Sequence, residues 1–249
     1  MKLPFELVVF DMSGTTVKDQ NEVMEAFLAA ASKYDLNTDP KKINQMMGWS
    51  KIDVFRKLWE EKLEEGHPEI EIRSQKALQY FKQVLHNWYL ENPAQANVGV
   101  EELFQWLKEN GVKIALTTGF YREVTDLLLR QLGWDVGLNG NHIGNGASII
   151  QVSISSDEVE NGRPEPDMIY KAMKTFGIED PKKVIKIGDT PSDLIAGKKA
   201  GCLLSLGITS GTHSEEALSQ YPNDGLIFAM TQFKSTILQK LELENSSLV

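Results

Sequence analysis

The sequence predicts an α/β protein: a parallel-sheet core interrupted, just after its first strand, by an all-helical insertion. Three observations predict it. The chain opens on a short apolar run, "LVVFD", that reads as a buried strand ended by a carboxylate. From about residue 20 to 91 apolar residues recur at helical spacing, with no strand-like stretch. Beyond residue 100 helical and strand-like segments alternate, the pattern of a parallel sheet covered on both faces.

In order, "NEVMEAFLAAASKY", "KKINQMMGW", "KIDVFRKLWEEKLEE" and "QKALQYFKQVLHNWYL" predict the helices of the insertion. "ENPAQANVGV" breaks the period with Pro, Asn and Gly and reads as the linker back. The boundaries expected are residues 1–17 and 95–249 for the core and 18–94 for the insertion. In the core "VEELFQWLKEN" is helical with Gly111 to cap its end, and "VKIALTTG" is a strand. "REVTDLLLRQLG" and "PDMIYKAMKTFG" are helices, "KVIKIGD" a strand and "SDLIAGKKAG" a helix. "CLLSLGI", "EEALSQY", "LIFA" and "TQFKSTILQKLELE" complete the alternation. The Gly- and Asn-rich residues 136–150 fit no element.

With 249 residues, 41% of them apolar and 24% charged, the chain has ample material for a core. A net charge of −9 argues against nucleic acid or an anionic membrane as partner, but not against a small anionic substrate held by a local cation. No run reaches the ~20 apolar residues of a membrane span. Cys202, the one cysteine, sits in an apolar run and reads as a core thiol; with no disulfide to form, a cytoplasmic protein is expected. His67, His86, His142 and His213 lie near no motif and read as surface or structural residues.

Functional groups of parallel sheets gather at the carboxyl ends of strands. Asp11, Thr117 and Asp189 all end predicted strands, and Asp193 follows across a tight turn. Carboxylates so placed repel one another unless a cation sits among them, and hard oxygen ligands suit Mg²⁺. The hydroxyls of "LTTGF" and the guanidinium of Arg163 in "NGRPEP" can hold the oxygens of a phosphoryl group, leaving an anionic carboxylate free to attack phosphorus.

These four stretches, in this order, resemble the motifs of the haloacid dehalogenase superfamily. The resemblance implies a Rossmann-like core, a mobile helical cap, Mg²⁺, an aspartyl-phosphate intermediate and a homodimer through cap helices. Carried over, Asp11 is the nucleophile and Thr117 the hydroxyl on the phosphoryl group. Arg163 stands where most members have Lys. Asp11, the carbonyl of Ser13 and Asp189 ligate the metal, and Asp193 supports it. Gly14, Thr118 and Gly119 fall within the substrate-binding motifs.

Ser13 is the departure. Typical phosphatases of the superfamily carry an acid there, which protonates the leaving alkoxide, a role worth ~10²–10⁴-fold. The phosphonatase-like branch lacks that acid, because a cap lysine forms a Schiff base with an aldehyde and the carbon leaves as an enamine. "MMGWSKIDVFR" resembles its cap segment and places Lys51 on the Schiff-base lysine, with Met47, Gly48 and Trp49 against the substrate. Val54, Asn21 and Phe120 replace a His, a Cys and a Tyr of that branch. The expected substrate is a small phosphonate or phosphate, phosphonoacetaldehyde first. A phosphate ester with Lys51 only binding an anion, and an inactive ligand-binding member, stay open.

Overall fold

The computed structural model describes residues 3–246. Strand β1 (Leu7–Asp11) is followed by four helices, α1 (Glu22–Lys33), α2 (Pro40–Gln45), α3 (Lys51–Leu63) and α4 (Ile70–Glu91). The alternating half begins with α5 (Val100–Glu109), β2 (Lys113–Thr118), α6 (Arg122–Leu132) and β3 (Val152–Ser155). It continues through α7 (Asp167–Phe176), β4 (Val184–Gly188), α8 (Pro191–Ala200) and β5 (Leu204–Ile208), then α9 (Glu215–Ser219), β6 (Gly225–Ile227) and α10 (Phe233–Ser246). All six strands are parallel, in the order β3-β2-β1-β4-β5-β6. Strand order reverses on either side of β1, so the crevice at its carboxyl end is where such sheets bind ligands.

Alternation along β1 divides the core. Val8 and Phe10 face one layer, where the Phe10 ring packs 5.2 Å from Phe104 and 5.9 Å from Phe233. Leu7 and Val9 face the other, with Met168, Ala172 and Cys202. Cys202 is buried, and burial pushes its thiol up to about 12, as suits an inert core residue. The inserted helices have an aromatic centre of their own, Phe27, Phe55 and Phe81, with centroids 4.5 to 5.9 Å apart.

Strand β3 is a strand the sequence reading does not contain. It is four residues long, and half of it is serine. Those serines are buried because they have partners: Ser155 Oγ donates to Thr125 Oγ1 at 2.8 Å, and Ser153 Oγ accepts from Arg122 at 3.2 Å. The unplaced stretch before it is a loop stitched by two antiparallel bridges, Leu138 with Gly144 and Ile143 with Val152. Among the described residues no helix is long and apolar enough to cross a membrane.

Candidate active site

Asp11 lies level with Thr117 of β2, and Phe10 is level with Ile187 of β4. The chain leaving β4 therefore delivers Asp189 beside Asp11. Oxygens of Asp11, Asp189 and Asp193 all lie within 4.8 Å of one another, and all three residues are buried. The three are not equally compensated. Asp193 Oδ1 meets Arg163 Nη1 and, at 2.6 Å, Lys186 Nζ. Its Oδ2 accepts from the hydroxyl of Thr190 at 2.7 Å and from the Thr190 N–H at 3.3 Å. Asp193 N–H returns a bond to Thr190 Oγ1, closing a capping box on α8. Burial alone would raise the Asp193 pKa, but Arg163 and Lys186 outweigh it and hold the group down at about 2.

Asp11 Oδ1 is 2.7 Å from Arg163 Nη1, yet no N–H is aligned with it and it has no hydrogen-bond partner. Burial raises its pKa against the pull of Arg163. Asp189 has only neutral donors, Thr15 Oγ1 at 3.2 Å and the Thr212 N–H at 2.7 Å. Burial, and then repulsion from Asp11 and Asp193, push its pKa well above the usual carboxylate range. So the protein supplies cations to Asp193 and half-supplies Asp11, but gives Asp189 none. An unpartnered carboxylate oxygen beside an uncompensated carboxylate fits a hard divalent cation held between Asp11 and Asp189. Asp193, the third carboxylate of the cluster, has both oxygens hydrogen-bonded and braces Arg163.

The loop "SGTT" explains why small residues follow Asp11. Gly14 has φ +78°, and a Cβ there would fall 2.0 Å from Asp189 Oδ2. Thr15 donates to Asp189, and Thr16 Oγ1 donates to the Asp11 carbonyl at 2.9 Å. Glycine thus lets the turn press against the Asp189 carboxylate, while Thr15 holds that carboxylate and Thr16 the main chain of Asp11.

Above Asp11 lies a cavity of about 200 Å³ lined from both halves. Asp11, Ser13, Thr118, Gly119, Phe120 and Arg163 form its core side, and Val23, Met24, Met47, Gly48 and Lys51 its cap side. Lys51 opens α3 behind the N-cap Ser50 and is buried. Its Nζ lies 5.6 Å from the ring centre of Phe27 and 5.1 Å from that of Phe120. Desolvation, and then the positive Arg163, lower its pKa from 10.5 to about 8, although Asp11, Glu22 and Asp189 pull the other way. The neutral amine is therefore accessible near physiological pH.

Of the residues expected to act on or touch substrate, three stand off the cavity. Thr117 does not line it; its hydroxyl donates to the Phe10 carbonyl at 3.3 Å, and Thr118 borders the space instead. Successive strand residues point to opposite faces, so only one of two adjacent threonines can face a given space. Trp49 packs partly buried on the hydrophobic core and faces the site only through its backbone: a Cβ on Gly119 would lie 2.6 Å from the Trp49 carbonyl oxygen. Gly14 acts against Asp189, as described.

Other contributors escaped the sequence reading. Lys186 lies inside β4, where a charge in an apolar strand signals a buried partner, here Asp193. Thr212 and His213 come from the loop after β5. Thr212 Oγ1 donates to Asp19 Oδ2 at 3.2 Å, and His213 Nε2 donates to the Asn44 carbonyl at 3.2 Å, joining core to cap. His213 is thus a cap–core contact beside Asp189. Ser192 Oγ adds a third bond, to the Met47 carbonyl at 3.2 Å.

The chain belongs to the haloacid dehalogenase-like hydrolase family, whose profile matches residues 5–201. Curated proteins similar to it include phosphonoacetaldehyde hydrolases. The phosphonoacetaldehyde hydrolase of Bacillus cereus (strain AH187) is 28% identical over 256 residues, covering 98% of this chain and 90% of that one. That of Latilactobacillus sakei subsp. sakei (strain 23K) is 30% identical over 208 residues, covering 80% and 73%. Among solved structures, a phosphonoacetaldehyde hydrolase-like protein from Oleispira antarctica matches with a TM-score of 0.77 at 17% identity, over 96% of this chain and 93% of that one. The β-phosphoglucomutase of Clostridium difficile matches with 0.76 at 18% identity, over 98% and 99%. At such identities the two structures speak to the fold alone. The protein is a hydrolase on a Rossmann-like core.

Proposed function

We propose that this chain is a Mg²⁺-dependent phosphonatase-like hydrolase of the cytoplasm that cleaves the carbon–phosphorus bond of a small carbonyl phosphonate, phosphonoacetaldehyde being the first candidate. The observation that carries the proposal is Lys51: an amine without a hydrogen-bond partner among the described residues, set between two phenyl rings in the same cavity as Asp11. A lysine that only bound an anion would gain nothing from surroundings that bring its pKa down to about 8. We assign residues 1–17 and 95–249 to the core and 18–94 to a cap that opens for substrate.

In this reading neutral Lys51 attacks the aldehyde carbon, and the carbinolamine, protonated by solvent on its hydroxyl, loses water to leave an iminium. The Asp11 carboxylate then attacks phosphorus as the carbon–phosphorus bond breaks, and the bonding pair flows into the iminium to give an enamine. Water hydrolyses the aspartyl phosphate to phosphate, and the enamine, protonated at carbon, is hydrolysed to acetaldehyde and free Lys51. Mg²⁺, held by Asp11, Asp189 and Ser13, would offset the negative charge of the phosphoryl oxygens. Arg163 orients Asp11 and faces those oxygens, Thr118 and Gly119 border them, and Asp193 with Lys186 fixes Arg163. No leaving alkoxide forms, so Ser13 need not be an acid.

Borohydride reduction in the presence of phosphonoacetaldehyde should leave a covalent adduct on Lys51, and Lys51→Arg should release no phosphate from it. If Lys51→Arg stays active on phosphate esters and no adduct forms, the chain is a phosphatase whose lysine binds an anion. Chelation should stop phosphate release and Mg²⁺ restore it; turnover in excess EDTA would remove the metal from the proposal.

A further inference from the structure

The loop after β5 meets both halves of the molecule within three residues. Gly211 lies against the metal-site carboxylate: a Cβ there would fall 2.4 Å from Asp189 Oδ2 and 2.6 Å from the Gly14 carbonyl oxygen. Thr212 donates its N–H to the same Oδ2 at 2.7 Å, while its hydroxyl donates to Asp19 Oδ2 at 3.2 Å. His213 reaches the Asn44 carbonyl of α2. Asp19 lies in the linker from core to cap. Behind it the two connections pair, Val17 bridging Ala96 and the Lys18 N–H donating to the Gln95 carbonyl at 2.9 Å. Ahead of it, Asp19 Oδ1 accepts from the N–H of Asn21 at 2.8 Å, and Asn21 immediately precedes α1. One oxygen of Asp19 therefore fixes the lead into α1, and the other is held by the residue that holds Asp189. Asp19, Asn21 and Thr212 all line the cavity.

Taken alone, a bond between two half-buried side chains is a loop fastening. Here the donor residue is also bonded, through its main chain, to a buried carboxylate of the acidic cluster. A threonine has few χ1 choices, so a displacement of its N–H carries its hydroxyl along. We propose that Thr212 is a positioning residue that acts through Asp189 and Asp19 together: it ties the metal carboxylate to the cap linker, so that Mg²⁺ binding and a seated linker favour one another. Such coupling is reciprocal, and loosening the linker must weaken the metal by the factor that the metal tightens the linker. The proposal rests on the reading of Asp189 as a Mg²⁺ ligand.

Two measurements on the full-length protein test it without turnover: calorimetric titration with Mg²⁺, and hydrogen exchange of the peptide covering residues 18–24 with and without Mg²⁺. In the wild type, Mg²⁺ should slow exchange in that peptide. Thr212→Val keeps the N–H on Asp189 and the shape of the side chain but loses the hydroxyl. It should weaken Mg²⁺ binding by about three- to tenfold, the scale of one hydrogen bond to a charged acceptor, and abolish the Mg²⁺-dependent slowing. Thr212→Ser should restore both. A direct pull of the metal on the Asp19 charge would survive Thr212→Val, so slowing that persists in that variant, or an unchanged affinity, overturns the proposal. Should Thr212→Val fail to fold, an unchanged affinity in Asp19→Asn, which takes the charged acceptor from the same bond, overturns it as well. If the wild type binds no Mg²⁺, the metal reading falls and the coupling with it. If wild type and Thr212→Val bind equally, the metal reading stands and the coupling alone falls.

Discussion

On the core side of the cavity each charged group has a charged or hydrogen-bonding neighbour, whereas on the cap side the reactive nitrogen of Lys51 faces phenyl rings. Arg163, Lys186 and Thr190 surround Asp193, and Thr15 and Thr212 hold Asp189. Lys51 has Phe27 and Phe120. The core half keeps charge where charge develops on phosphorus, in fixed dipoles that need not reorganise. Around Lys51, burial beside Phe27 of the inserted helices and Phe120 of the core, with Arg163 nearby, weakens the hold on a proton instead. One residue type, a buried cation, serves both ends: Arg163 is stabilised by its partners, and Lys51 is made reactive by their absence.

The comparison is broken most directly at Asp11. Asp11→Asn should keep the fold, since it relieves repulsion among three carboxylates, and should lower phosphate release by at least about 10⁴-fold, as when a covalent nucleophile is removed. Circular dichroism and a phosphate assay check both, and substantial turnover would remove Asp11 from the role.

Arg163 tests the core side in finer detail. A single nitrogen, Nη1, reaches both Asp11 and Asp193, so a lysine ammonium can occupy the same point. Arg163→Lys should cost less than about tenfold in kcat/KM. Arg163→Ala should cost about 10²–10³-fold, the scale of a lost charge-stabilising donor. Equal losses in the two variants would mean that fork geometry matters.

The cap side should show its contrast in stability. The Lys51 pKa is lower folded than unfolded, so folding disfavours the ammonium. That penalty is complete below about pH 8 and fades as pH rises toward 10.5. Lys51→Met should therefore stabilise the protein by about 2–3 kcal/mol at pH 7, with the gain shrinking toward pH 10. Urea titrations at the two pH values measure it; a pH-independent difference would mean that packing alone is responsible.

Much of this site is legible in the sequence because its charges end elements. Asp11 and Asp189 close apolar strands, Lys51 starts a helix behind a serine, and Arg163 sits between a Gly and a Pro. What could not be read depends on which face an element turns inward. Thr117 and Thr118 are equivalent as spacing, and only the pairing of β2 with β1 separates them. Lys186 is visible as a charge within a strand, but its partner seven residues on becomes apparent only when α8 folds back along β4. Thr212 and Asp19 lie far apart in the chain, and nothing periodic joins the loop after β5 to the linker before α1.

Of the bonds that Thr212, His213 and Ser192 make across the cavity's edge, two end on main-chain carbonyls, those of Met47 and Asn44. Gly48 and Gly119 also meet through backbone: Gly48 has φ +86°, and a Cβ on Gly119 would lie 2.9 Å from the Gly48 carbonyl oxygen. Several of the inserted helices' contacts with the core thus fall on their main chain rather than on the side chains that line the cavity. Met47 and Asn44 can drift without the lid losing its seat, so a lineage could exchange one small phosphorus compound for another while the machinery beneath stays intact.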